Sequence, residues 1–387
     1  MTHPIDQRRL RAGIVGGGRG AFIGAVHRIA AQLDSEATLI AGALSSDPAT
    51  AAASAADWRL ARSYASYEDM ARTEAALADG IDFVIIATPN HLHLPVARAF
   101  LEAGIHVMCD KPLALSETEG REFARLVQKS NRLLGLTHTY SGYPAVLEAR
   151  ALVADGQLGT LRKVHVQYLQ DWLMQPLEQS GQKQSAWRTD PARAGAGGAL
   201  GDIGTHAHHL AEFVTGQTVT AVSADVTHFV AGRRLDDDAN LLLRFSGGAK
   251  GTLVCSQVCC GEENDLSIRL YGTLAALEWR QLEPDTLLFK PATGAVQMRR
   301  AGKDFTSADA RNAVRLPAGH PEGYLEAFAT LYRRFAADVR RIARGEAPAR
   351  NYPGMDEGLR GLAFVTAALR SAREASRWTE ITCPQTR

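Results

Sequence analysis

Three residues in this chain have side chains that exchange or hold protons near neutral pH, and each sits in a segment marked by glycine or proline: Lys111, Asp202 and His206. In Cys109-Asp110-Lys111-Pro112 the ammonium can donate hydrogen bonds to an oxygen that gains or loses a proton, and a surface ion pair with Asp110 is the structural alternative. Asp202 and His206 are four apart within Gly198-Ala199-Leu200-Gly201-Asp202-Ile203-Gly204-Thr205-His206, so on a helix they share one face. There the imidazole suits general acid and base work, and the carboxylate can orient it or bind a second hydroxyl. A metal cluster of Asp202, His206, His208 and His209 is the rival arrangement. His208 and His209 cannot both share the face of His206, so no metal is expected and helix packing is their expected role.

The second element of chemistry is glycine-rich. Gly16-Gly17-Gly18-Arg19-Gly20-Ala21 follows an apolar strand and precedes an amphipathic helix, and Gly16, Gly18 and Ala21 fit the dinucleotide pattern. The first glycine allows the turn and the second admits a pyrophosphate. The small third residue, here Ala21, permits close packing, and the helix start holds the anion. The second strand ends in Leu44-Ser45-Ser46-Asp47-Pro48, without an acid at the usual ribose position. Ser45 and Ser46 would leave room for a 2'-phosphate that Arg19 approaches. Asp47 is close enough to serve a bare ribose instead, so NAD and NADP both stay open as the NAD(P) cofactor. Thr88-Pro89-Asn90 with His93 and the Lys111 segment also follow strands, and strand carboxyl ends line the ligand crevice of a doubly wound sheet.

These residues must be positioned by alternating elements. Strands are expected at 12–15, 38–44, 82–88, 106–109 and 133–137, with helices near 22–33, 66–77, 93–103 and 116–129 between them, a βαβ series around a parallel sheet. Ser116 and Glu119 form an expected capping box. After Tyr140 the pattern changes to a helix near 144–154, a strand at 163–169, a long polar loop through Trp187, Arg188 and Asp190-Pro191, and a helix near 202–214. Closely spaced strands then follow at 218–226, 240–245, 251–257, 267–271 and 276–279, as in an antiparallel sheet, before helices at 322–341 and 355–374. Tyr168, Trp172, Trp187 and Arg188 are candidate substrate contacts, since aromatic faces and a guanidinium fork suit polyhydroxylated or anionic rings, with ordinary packing as the alternative.

The fold class expected is α/β: an N-terminal doubly wound Rossmann domain over residues 1–140 and a second α/β domain over 141–387. With 45% apolar and 22% charged residues the 387-residue chain can bury cores of that size. A formal net charge of +1 supplies no general field for nucleic acid or an anionic membrane. Residues 1–11 are polar, no run approaches a membrane span, and the five cysteines follow no ligand spacing. The expected setting is therefore cytoplasmic, with the thiols reduced and packed as small hydrophobes.

Together the glycine loop, Thr88-Pro89-Asn90 with His93, Asp110-Lys111-Pro112, Trp187-Arg188-Thr189-Asp190-Pro191 and Asp202 to His206 resemble the glucose-fructose oxidoreductase and inositol dehydrogenase (Gfo/Idh/MocA) family across nearly the whole chain. The resemblance implies a second domain built on a large open antiparallel sheet whose exposed face supports homo-oligomers. It also implies that Lys111 is the lysine of the family's Glu-Lys-Pro motif, with Asp110 in place of glutamate, and that Asp202 and His206 are its substrate-binding aspartate and catalytic histidine. The implied activity is NAD(P)-dependent oxidation or reduction of a secondary hydroxyl on a sugar, sugar derivative or cyclitol. Two alternatives keep the dinucleotide: glycoside cleavage through transient oxidation of the sugar ring, and a noncatalytic sensor that regulates a partner.

Overall fold

The computed structural model describes residues 4–383 and contains two compact units. The first comprises the chain through His138 together with Phe328–Leu359, and the second comprises Thr139–Ala327 and the chain from Arg360. The single division expected at residue 140 does not anticipate the return of Phe328–Leu359 to the first unit. Its reason is aromatic packing: Phe335 meets Phe83 edge-on at 5.5 Å and Tyr352 at 5.4 Å, and the Tyr332 hydroxyl bonds His27 at 2.6 Å.

In the first unit the chain alternates β1 (Leu10–Gly16), α1 (Phe22–Leu33), β2 (Ala37–Ala43), α2 (Pro48–Trp58), β3 (Arg62–Ser63), α3 (Tyr67–Ala76), β4 (Phe83–Ala87), α4 (His93–Glu102), β5 (His106–Cys109), α5 (Glu117–Ser130) and β6 (Leu134–Leu136). The strands pair in parallel in the order β3-β2-β1-β4-β5-β6, so the strand order reverses between β1 and β4, where doubly wound folds bind their ligands. The two-residue β3 is too short to leave a periodic trace in the sequence. The capping box is formed in a shifted version: Ser116 Oγ accepts from the Glu119 amide, while the Glu119 carboxylate reaches the amide of Leu115.

The second unit contains α6 (Pro144–Ala154), β7 (Lys163–Leu169), α7 (Lys183–Arg188), α8 (Pro191–Ala194), α9 (Thr205–Thr215), β8 (Val219–Thr227), β9 (Asp238–Phe245), β10 (Lys250–Ser256), β11 (Asp265–Tyr271), β12 (Ala275–Arg280), β13 (Thr286–Pro291), β14 (Gln297–Arg300) and α10 (Ala308–Ala313). Near the chain end, α11 (Tyr324–Ala343) and α12 (Met355–Arg373) precede β15 (Thr379–Glu380). The segment expected as a long loop holds two short helices, each started by a side-chain cap: Gln182 on the Ser185 amide and Asp190 on the Ala192 amide.

The nine strands pair as β14-β13-β12-β11-β7-β10-β9-β8-β15, and all neighbours are antiparallel except β7 and β10. A parallel pair requires a crossover rather than a hairpin. The helical stretch between β7 and β8 provides it. One consequence is that the carboxyl ends of β7 and β10 lie beside the start of β11, with Leu169 opposite both Ser256 and Asp265. Among the described residues no helix is long and apolar enough to cross a membrane.

Candidate active site

The first unit holds its candidate groups largely through the main chain. Gly16 has φ +77, and a Cβ there would stand 2.6 Å from the Ala87 carbonyl of β4, so neither the turn nor the strand spacing admits a side chain. Close packing of α1 against the loop itself falls to Gly24, where a Cβ would sit 2.0 Å from the Gly17 carbonyl oxygen. Ala21 is the N-cap of α1, with extended backbone and no side-chain cap. The start of α1 therefore has no capping side chain in the way of an anion.

The loops after β4 and β5 are tied together. His93, fully buried, directs Nδ1 at the Pro112 carbonyl (2.8 Å) and Nε2 at the Thr88 carbonyl (3.1 Å). Burial holds its pKa below the ordinary value, against the raising effects of Asp110 and the two carbonyls. This corrects the expectation that His93 binds cofactor: both ring nitrogens face main-chain oxygens, so it acts through the loops it joins. Asp110 accepts from the Lys111 amide (2.9 Å) and the Thr137 hydroxyl (2.7 Å), which fixes the peptide that carries Lys111. Pro89 precedes a single helical turn, Asn90–Leu92, in which Asn90 is buried. Ser45 accepts from the Asp47 amide at 3.1 Å, and Ser46 is exposed. Asp47 caps α2 through the Thr50 amide at 2.7 Å, and Arg19 forms a two-pronged pair with Asp57 at 2.6 and 2.8 Å.

In the second unit the candidate groups form a side-chain network. Asp202 lies in a π-helical turn, Leu200–Gly204, that runs into α9, while His206 is in the first turn of α9. Its carboxylate Oδ2 accepts from Arg188 Nε (3.3 Å) and Gln257 Nε2 (3.0 Å). Arg188 lies over the Trp187 ring at 4.2 Å and within 5.8 Å of the Trp172 ring, so three expected substrate contacts are gathered around Asp202. Trp187 is buried beneath that guanidinium, which gives it a supporting position.

His206 packs edge-on to Tyr140 at 4.9 Å and lies 6.2 Å from Tyr168. The two tyrosine hydroxyls bond each other, Tyr168 donates to Asn264 Oδ1 at 2.8 Å, and Asn264 Nδ2 donates to Tyr140 at 3.4 Å, closing a three-membered ring of hydrogen bonds. Burial pushes both phenols upward, so they act as neutral donors. Tyr168 was expected to touch substrate; it is 4% exposed with its hydroxyl inside this ring, so it supports His206 instead. Gln170 and Trp172 extend the chain through bonds of 2.7 and 3.1 Å. The strand register explains the gathering, because Tyr168, Gln257 and Asn264 lie at the three adjacent ends of β7, β10 and β11.

Gln257 and Asn264 were missed in sequence because only the sheet register brings them to this network, and Tyr140 because its turn before α6 carries no local signal for its contact with His206. Ser54 and Asp57, three apart on α2, lie in or beside an alanine-rich stretch whose pattern singles neither out. His208 faces Glu212 at 3.1 Å and stacks on Phe364 at 4.3 Å, and His209 stacks on Phe213 at 5.7 Å. Cys109 and Cys255 are buried as expected, but Cys259 is half-buried and Cys260 exposed, so the packing role holds only for the first two.

Residues 10–138 match the family described as "Oxidoreductase family, NAD-binding Rossmann fold", and residues 146–278 match "GFO/IDH/MocA C-terminal domain". The uncharacterized oxidoreductase YfiI of Bacillus subtilis is 34% identical, over 97% of this chain and 98% of that protein. The chain belongs to the Gfo/Idh/MocA family. An oxidoreductase from Sinorhizobium meliloti has 42% identity and a TM-score of 0.87 over 96% of this chain and 99% of its own. The inositol dehydrogenase homolog from Azotobacter vinelandii, solved with NADH and myo-inositol, has 34% identity and a TM-score of 0.89 over 96% of this chain and 98% of its own.

This Gfo/Idh/MocA chain is thus an NAD-binding oxidoreductase, and its own residues fit the cofactor. The glycine loop packs without Cβ atoms against Ala87 of β4, Gly24 of α1 and Leu44 after β2, and α1 has no side-chain cap. The buried Thr88 hydroxyl, beside Gly16, has no hydrogen-bond partner among the described residues. An unsatisfied buried hydroxyl is costly in a closed fold and reasonable beside a polar ligand.

Proposed function

We propose that this NAD-binding oxidoreductase oxidises a secondary hydroxyl of a neutral polyhydroxylated ring, a sugar, sugar derivative or cyclitol, and reduces the corresponding ketone in reverse. The observation that carries the reading is the Asp202, Arg188 and His206 cluster in the second unit, in a chain similar to a homolog solved with myo-inositol. Bound NAD supplies the hydride acceptor. His206 takes the hydroxyl proton, Lys111 donates to the oxygen as charge develops on it, and Asp202 accepts from a neighbouring hydroxyl.

Arg188 and Gln257 hold the Asp202 carboxylate at one oxygen, which fixes its plane before substrate arrives. The same contact balances the Arg188 charge, favouring a neutral ring over a carboxylated one. Tyr140 and Tyr168 restrict the His206 ring by packing, and Asp110 with His93 restricts the Lys111 loop.

Lys111→Ala and His206→Ala should each lower turnover by roughly two to four orders of magnitude while NADH still binds in a fluorescence titration. Unchanged turnover in both variants would overturn the assigned roles.

A further inference from the structure

In a doubly wound fold the 2'-position of the adenosine ribose is read at the end of the second strand, where an acid binds the bare hydroxyl or an arginine takes a phosphate. Here the end of β2 meets the glycine loop directly, since a Cβ on Gly18 would lie 2.8 Å from the Leu44 carbonyl. The arginine beside it is Arg19. Its amide donates to Ser54 Oγ at 3.0 Å, and its Nε and Nη2 donate to the two oxygens of Asp57 at 2.6 and 2.8 Å. Ser54 in turn donates to the Thr50 carbonyl at 2.6 Å. Both the main chain and the side chain of Arg19 are therefore anchored to one face of α2.

A parallel fork of this kind fixes the plane of the guanidinium and cancels its charge. The other carboxylate nearby, Asp47, already caps α2 through Thr50.

We propose that Asp57 determines cofactor preference: by fixing and neutralising Arg19, it makes this site select NAD over NADP. A 2'-phosphate would bring about two further negative charges beside an arginine whose charge Asp57 already balances. It would recruit Arg19 only by breaking both bonds to Asp57. A bare 2'-hydroxyl requires neither, and the hydroxyls of Ser45 and Ser46 offer neutral partners at the same strand end. The side chains of Arg19 and Asp57 are 56% and 46% exposed, so the pair contributes little to the fold and its removal leaves the protein folded.

The test is a fluorescence titration of the full chain with NADH and NADPH, which needs no substrate and so stands apart from the proposed reaction. The wild type should bind NADH more tightly than NADPH. Asp57→Asn should tighten NADPH roughly tenfold, the scale of a charge-assisted bond gained, with little change for NADH. Adding Arg19→Ala to that variant should abolish the gain, while thermal melting reports that each variant is folded. The proposal is overturned if the wild type binds both dinucleotides equally, if Asp57→Asn leaves NADPH affinity unchanged, or if the gain survives loss of Arg19.

Discussion

In the first unit, the groups assigned to the cofactor and to Lys111 are held by the backbone: glycines without Cβ atoms, carbonyls bonded by His93, and an amide bonded by Asp110. In the second unit Asp202 and His206 are held by other side chains, drawn from Tyr140, Tyr168, Arg188, Gln257 and Asn264. A backbone site fails when a residue that must be small becomes larger or a tie between loops is cut. A side-chain network loses rate in steps, one bond at a time. The contrast can be probed by variants on each side.

The largest effect after loss of Lys111 or His206 themselves is expected at Gly16. Gly16→Ala places a methyl group against the Ala87 carbonyl and should remove measurable NADH binding in a fluorescence titration, with the second unit unaffected. Next is His93→Phe, which keeps the volume and deletes the imidazole's hydrogen-bonding link between the two loops. Turnover should fall up to about a hundredfold if the Lys111 loop shifts by an ångström, with the melting temperature measured in parallel. His93→Gln, whose amide can donate to both carbonyls, should recover part of the rate.

On the side-chain side, Tyr168→Phe opens the hydrogen-bond ring while leaving the His206 packing in place. It should lower turnover by about threefold to tenfold, the value of one net hydrogen bond, a smaller loss than His93→Phe. A larger loss from Tyr168→Phe than from His93→Phe would reverse the contrast.

The smallest expected effect is one of pH. Asp236 accepts from the amides of Gly198 and Leu200, at 2.6 and 2.7 Å, and so holds the segment leading to Asp202. Burial pushes its carboxyl up from 3.8 to about 6, against the lowering effect of those amides. Between these values the folded chain holds a proton that the unfolded chain has released. That contribution to stability is complete below pH 3.8 and lost as pH rises through about 6. Melting temperatures from pH 4 to 7 should therefore fall more with rising pH in the wild type than in Asp236→Asn.

The same contrast explains what could be read from sequence. The turn at Gly16 and the strand ends before Thr88 and Lys111 depend on short-range spacing, so the parallel sheet and its ligand edge were legible. Gly24 was missed although it lies nearby, because its role depends on approach to Gly17 rather than on the pattern itself. In the second unit Asp202 and His206 were visible as a helical pair. Tyr168 and Asn264, 96 residues apart, meet only because β7 pairs with β11. The parallel β7 and β10 pair was likewise hidden, since each strand alone reads as a member of an antiparallel sheet.

The most direct test of the central claim is the absorbance of reduced nicotinamide when the wild-type protein and NAD are offered a panel of cyclitols, neutral sugars and their carboxylated counterparts. Steady NADH formation with at least one neutral ring polyol, lost in His206→Ala and weaker with the carboxylated counterpart, is the predicted result. No NADH formation with any neutral ring, by a protein that binds NAD, would contradict the account.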